Sequence, residues 1–231
     1  AKAGEAWNVL ICRHFDMLDA MAAVALAVLL LGGLIAVQHG ANRAISNRMH
    51  GDLQAAPVGL DRHLGECLWR KQRLAAPSDV IDLGKIKELV GIEVSGDTLT
   101  IKAATTYFDI MQSPDVKKSI PAIAYLTSIL GDPAVRHRGT IGGSIANNDP
   151  AADFPAALVS LGATVKTNKR SIAADDFFKG LFTTALDDGE IITAVSFPIP
   201  AKAGYAKFRH PASRFALTGV FVTKTKSGDV R

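Results

Sequence analysis

The sequence predicts an α+β protein, and three stretches carry that expectation. Leu89 to Ile101 reads as a β-hairpin turned at Ser95-Gly96-Asp97. Ile120, Ile123, Ala124, Leu126, Thr127 and Leu130 form an apolar stripe of helical period. Glu190 to Pro198 reads as a strand bounded by prolines. Between the helix and that strand lies Gly131 to Pro155, with four glycines and three prolines. Such a composition predicts little regular structure, and an irregular segment between apolar ones is expected to be a binding loop.

The chain has 231 residues, enough for one or two domains with a sizeable core. Apolar residues make up 48% and charged ones 21%, an ordinary globular balance. The net charge of +4 is spread without a long basic run, so no nucleic-acid surface is read from it. Cys12 and Cys67 stand far apart, which excludes a disulfide framework and any iron–sulfur or zinc spacing.

Residues 1–15 carry no clear signal. Asp16 to Leu30 reads as an Ala- and Leu-rich helix, and Leu29-Leu30-Leu31 as a short strand ending at Gly32-Gly33. Met21 to Val37 is uncharged throughout and reaches the lower edge of a bilayer-spanning length. The glycine pair splits it, and Asp16 and Asp19 suit a helix N-terminus, so a buried helix-then-strand is expected. A membrane or export segment is the alternative. In residues 38–79, Ala41 to Leu53 and Leu64 to Leu74 are candidate short helices; His39, His50 and His63 have no ligand spacing.

From Asp79 the pattern is regular. Val80 to Leu83 is a short strand, followed by the hairpin. Thr106 caps a helix through Met111, and Pro114-Asp115 opens another. The apolar stripe runs to Gly131, a helix stop before Asp132-Pro133. Beyond the glycine-rich segment come a helix at Pro155 to Leu161 and a strand at Ala163 to Thr167. Phe177 and Phe178 are expected as core anchors. Tyr205 to Phe208 and Ala216 to Thr225 are two further strands.

The chemistry of Gly139-Thr140-Ile141-Gly142-Gly143-Ser144 is that of an anion cradle. Three positions lack side-chain bulk, so backbone N–H groups can approach phosphate oxygens, helped by the hydroxyls of Thr140 and Ser144. Arg136 and Arg138 add positive potential. The segment has neither the Gly-x-Gly-x-x-Gly spacing nor a Gly-Lys-Ser/Thr ending. A tight structural turn with solvated arginines is the alternative.

The run Val135-Arg136-His137-Arg138-Gly139-Thr140-Ile141-Gly142-Gly143-Ser144, followed by Asn148-Asp149-Pro150-Ala151-Ala152-Asp153, resembles the second flavin loop of the FAD-binding medium subunits of molybdenum hydroxylases. These belong with xanthine dehydrogenase, aldehyde oxidoreductase and carbon monoxide dehydrogenase. The likeness extends more loosely from Asp79 to Val222. It implies a two-subdomain FAD-binding fold of the PCMH/vanillyl-alcohol-oxidase-like type. Residues 1–84 would be the first subdomain, with an atypical insertion, and residues 85–199 the second. Residues 200–231 would open a C-terminal α/β domain that family members carry further. Two departures stand out. Gly32-Gly33 is kept, but Leu34 and Ile35 replace a small polar pair and leucine, so a bland terminator is as good a reading there. Ser213-Arg214-Phe215-Ala216 has arginine in place of a usual aspartate.

By this resemblance the cofactor-binding residues are Gly32, Gly33, Thr140, Ile141, Gly142, Gly143, Ser144, Asp153, Ile192 and Lys207. Backbone N–H groups of Ile141 to Ser144 would hold the pyrophosphate, and Asp153 a polar edge of the ribityl or ring system. Ile192 would pack on the isoalloxazine, and Lys207 would stabilise negative charge on the reduced flavin. No residue of this chain is expected to be catalytic in its own right or to bind metal. A molybdenum–pterin large subunit would oxidise the substrate. Electrons would pass through [2Fe-2S] clusters on a small subunit to FAD, then to an external acceptor, in heterotrimers that can pair as a dimer. A cytoplasmic location is expected, or a periplasmic one within an exported complex. Two alternatives remain: a self-sufficient FAD oxidoreductase of the same fold superfamily, and a membrane-anchored binding protein resting on Met21 to Val37.

Overall fold

The structure, a computed structural model, describes Leu83 and residues 86–231. The expectations for Met21–Val37, for residues 38–79 and for Gly32 and Gly33 lie outside the described residues, as does most of the Val80–Leu83 strand.

A 3-10 turn at Lys87–Leu89 leads into a hairpin of β1 (Ile92–Ser95) and β2 (Thr98–Lys102). The hairpin stands, but its first strand begins three residues later than Leu89, because Lys87–Leu89 curls and buries Leu89. Along β2, Leu99 and Ile101 are buried while Thr98, Thr100 and Lys102 are only partly so, the period of two that turns one face to the core. Thr106 caps α1 (Tyr107–Gln112): its hydroxyl accepts from the Asp109 N–H at 3.1 Å and donates to Asp109 Oδ2 at 2.6 Å.

The single helix expected up to Gly131 is two helices, α2 (Pro114–Ser119) and α3 (Pro121–Ser128). Pro121 has no N–H to continue α2, and it holds Ile120 extended at φ −140° and ψ 77°. Ile123 and Leu126 of α3 are fully buried.

Gly131 to Pro155 is more regular than its composition suggests, which corrects the expectation of an irregular loop. It contains α4 (Pro133–Arg138), α5 (Ile141–Asn147) and the start of α6 (Phe154–Leu161). Capping supplies what propensity lacks. The Asp132 carboxylate accepts from the Val135 N–H at 2.9 Å, Thr140 caps α5, and Asn148 closes it in the left-handed region at φ +46°.

The remaining elements are β3 (Thr164–Thr167), β4 (Ser171–Ala173), α7 (Ala174–Phe177), β5 (Phe178–Gly180), β6 (Thr183–Thr184), β7 (Ile192–Pro198), β8 (Lys202–Arg209) and β9 (Ala216–Lys224). The main sheet has the order β1-β2-β7-β3-β4, with every pairing antiparallel. Its central strand β7 pairs Phe197 with Leu99 and Val195 with both Ile101 and Val165, all fully buried. Ile145 of α5 and Phe154 and Leu158 of α6 join the same core, as does Phe177. The pair β8–β9 forms a separate two-stranded sheet. It lies against α3 and α6, and Ser160 of α6 donates to the Thr223 hydroxyl at 2.9 Å. Among the described residues no helix is long and apolar enough to cross a membrane.

Candidate functional site

The glycine-rich turn is built by close packing. Gly142 lies on the end of β2, where a Cβ would stand 2.7 Å from Ala103 Cβ and 2.8 Å from its carbonyl oxygen. Gly139 lies under the Tyr107 ring, where a Cβ would meet Cε2 at 2.4 Å. Both glycines are therefore required by their neighbours. The backbone donors are also committed. The N–H of Ile141 donates to Thr105 O at 3.3 Å, that of Gly142 to Ala103 O at 2.9 Å, and that of Ser144 to Thr140 O at 3.1 Å. The Gly143 N–H donates to Thr140 Oγ1 at 3.2 Å. In this structure these four N–H groups donate within the chain itself. Ser144 is different. It is 5% exposed, and its hydroxyl has no protein partner among the described residues, a situation that burial makes costly unless something else supplies the bond.

Fourteen residues or fewer separate the turn from a second polar group. Asp153 precedes α6 and is buried, as is Lys207 on β8; their side chains are 2% and 1% exposed. Lys207 Nζ donates to Asp153 Oδ2 at 2.9 Å, and the Tyr205 hydroxyl donates to Asp153 Oδ1. Burial, then the neighbouring Asp153 charge, hold the Tyr205 phenol far above its usual range, so it stays protonated. The two groups are connected through aromatic packing: Tyr107, over Gly139, stacks on Phe154 at 5.6 Å between centroids, and Phe154 follows Asp153 directly.

The other expected residues have different positions. Ile192 opens β7 beside Thr167 and is fully buried in the hydrophobic core. Arg136 donates through Nη1 to Leu130 O at 2.8 Å and to Gly131 O at 3.3 Å, capping the end of α3. Arg138 is exposed and makes no ion pair among the described residues. Asn148 fastens the β5–β6 hairpin, donating to Gly180 O at 2.7 Å and Thr183 O at 2.8 Å. Among the described residues no cluster of His, Cys, Asp or Glu can hold a metal ion.

Residues 65–200 match the family described as the FAD binding domain in molybdopterin dehydrogenase. The chain belongs to this family. The chain is 36% identical over 167 residues to the glyceraldehyde dehydrogenase medium chain of Sulfolobus acidocaldarius, covering 69% of this chain and 59% of that one. It is 37% identical over 165 residues to the carbon monoxide dehydrogenase medium chain of Afipia carboxidovorans, covering 68% and 57%. Among solved structures, carbon monoxide dehydrogenase from Hydrogenophaga pseudoflava matches with a TM-score of 0.71 at 32% identity, over 80% of this chain and 68% of that chain. The chain thus spans less than two thirds of the length of those two medium chains.

The residues present fit a flavin dinucleotide of this FAD-binding family. The unpartnered Ser144 hydroxyl and the Thr140 hydroxyl suit phosphate oxygens, and a buried ammonium suits an electron-rich group. Tyr205 is the member of the site that sequence reasoning missed. The signal was present, since residues two apart on a strand share a face and Tyr205 stands two before Lys207.

Proposed function

We propose that this chain is the FAD-carrying electron-transfer part of a multi-subunit molybdenum hydroxylase. The observation that carries the proposal is the family match across the glycine-rich turn and Asp153. FAD, when bound, supplies the redox chemistry by taking up and releasing electrons. The chain's residues hold and tune it. Thr140 and Ser144 would present hydroxyls to the phosphates, and Gly142 lets α5, which Thr140 caps and which carries Ser144, lie close to Ala103 at the end of β2. Gly143 shares that turn, and Gly32 and Gly33 would supply a first loop. Lys207 keeps a positive charge in a site shielded from water, where it lowers the cost of negative charge gained on reduction. Asp153 holds that ammonium in position and keeps the buried pair neutral before the cofactor arrives. A small [2Fe-2S] subunit would deliver the electrons and a large molybdopterin subunit would generate them; several relatives are named as medium chains or subunits of dehydrogenases or of a hydroxylase.

The test is an absorption spectrum of the purified full-length subunit, followed by acid release and chromatography of the chromophore. Released FAD, with molybdenum, iron and two further chains in the native complex, supports the proposal. A colourless protein that takes up no added FAD overturns it. FAD without iron, molybdenum or partners favours a self-sufficient flavin oxidoreductase instead.

A further inference from the structure

Tyr205 has no place in the roles assigned so far, and its surroundings are specific. Strand β8 presents Tyr205 and Lys207 on one face, and their two donors take the two oxygens of Asp153 separately. The charge of Asp153 is already balanced by Lys207. A phenylalanine would fill the same volume, so what the hydroxyl adds is direction. The bond from the hydroxyl to Oδ1 fixes the rotation of the carboxylate. Lys207 Nζ is held on Oδ2, its one hydrogen-bond partner among the described residues, and an ammonium has three protons to donate.

The hairpin makes room for this arrangement. Gly219 on β9 is paired with Lys207 across the strands, and a Cβ built there would stand 2.6 Å from the Tyr205 hydroxyl oxygen and 3.3 Å from Cζ. Any side chain at Gly219 would push the phenol off Asp153. Phe221, opposite Tyr205, supports the ring at 5.9 Å between centroids.

We propose that Tyr205 is a positioning residue of the flavin site, orienting the Asp153 carboxylate and through it the Lys207 ammonium, with Gly219 as the space that permits it. The proposal rests on the flavin reading given above.

The experiment uses the full-length subunit stripped of flavin and titrated with FAD, alongside Tyr205→Phe, Gly219→Ala, their double variant and Asp153→Asn. Tyr205→Phe is expected to weaken FAD binding roughly tenfold to a hundredfold, the scale of one hydrogen bond to a charged group, and to shift the absorption bands of the bound flavin. Gly219→Ala should move both readouts in the same direction although the hydroxyl is still present. The double variant should be no worse than Tyr205→Phe alone, because both remove one interaction. If Asp153→Asn weakens FAD while Tyr205→Phe and Gly219→Ala bind it like wild type with unshifted spectra, the role of Tyr205 is overturned and the site stands. A lower Tm with unchanged affinity and spectrum also overturns it, since that is a structural effect. If Asp153→Asn leaves FAD affinity unchanged, the flavin reading of this group fails and the proposal with it. Should Tyr205→Phe fail to accumulate, Gly219→Ala carries the same decision.

Discussion

Gly142→Ala sets two well-known effects against each other. Alanine in place of a helical glycine stabilises by about 1 kcal/mol through backbone propensity. At Gly142 the new methyl would meet Ala103 Cβ at 2.7 Å and Ala103 O at 2.8 Å. Carbon–carbon contact is comfortable at about 3.5–4.0 Å, so α5 must move away from β2 by roughly the shortfall. The obstacle is the Ala103 backbone and a methyl group, neither of which can swing aside. Overpacking of this kind costs about 1–3 kcal/mol, and the 2.9 Å bond from Gly142 N–H to Ala103 O is strained in addition, at about 1 kcal/mol. The net expectation is a loss of about 2 kcal/mol, or a fall in Tm of about 4–8 °C for a domain of this size. The displaced helix also carries Thr140 and Ser144, so FAD content should fall. Thermal unfolding and flavin-to-protein ratio are the assays, with Gly180→Ala as the control because nothing lies within 4 Å of its built Cβ. A Gly142→Ala protein with a raised Tm and full flavin would mean that propensity wins and that the helix–strand contact is loose, refuting the reasoning.

Other consequences follow from the buried polar groups. Lys207→Met should destabilise by about 3 kcal/mol, because it strands a buried carboxylate; urea unfolding of the Lys207→Met/Asp153→Asn double variant should recover part of that loss, and simple additivity would contradict a coupled pair. Glu190 is held at about pH 2 chiefly by hydrogen bonds from Arg170, whose Nε and Nη2 lie 3.0 and 2.9 Å from its two oxygens. Its folded value lies below the unfolded one, so its contribution is complete above about pH 4.5 and lost as pH falls towards 2. Because Arg170 is 46% exposed, the contribution is about 1–2 kcal/mol, and Glu190→Gln should flatten the stability profile across that window. Asn148→Ala should release the β5–β6 hairpin at a cost of about 2 kcal/mol, from two lost hydrogen bonds and a left-handed backbone; hydrogen exchange at the Phe182 amide, which donates to Asn148 O at 3.2 Å, should accelerate.

Local signals were legible where they acted locally. The hairpin turn, the Thr106 cap and the strand through Val195 depend on neighbouring residues and were readable from them. The split at Pro121 was readable in principle but was masked by an apolar stripe that continues in phase across it. The helices within Gly131–Pro155 were not legible, since caps from Asp132, Thr140 and Asn148 outweigh glycine's weak propensity only together. The glycine motif has a packing reason that its sequence does not show. Gly139 and Gly142 are small because Tyr107 and Ala103 press on them, and the N–H groups expected to meet a ligand meet Thr105, Ala103 and Thr140. Lys207 was named in advance through the resemblance. That it meets Asp153, 54 residues away, depends on how the β8–β9 sheet docks, which no local pattern encodes.

That docking gives the site an order of assembly. Asp153 precedes α6, whereas both donors to its carboxylate arrive on β8, after the main sheet has ended at Pro198. Until β8 docks, the Asp153 carboxylate lacks both its Tyr205 and its Lys207 donor. Such a charge repels phosphate. The β8–β9 hairpin thus completes the Asp153 group, since both of its donors come from one element outside the main sheet.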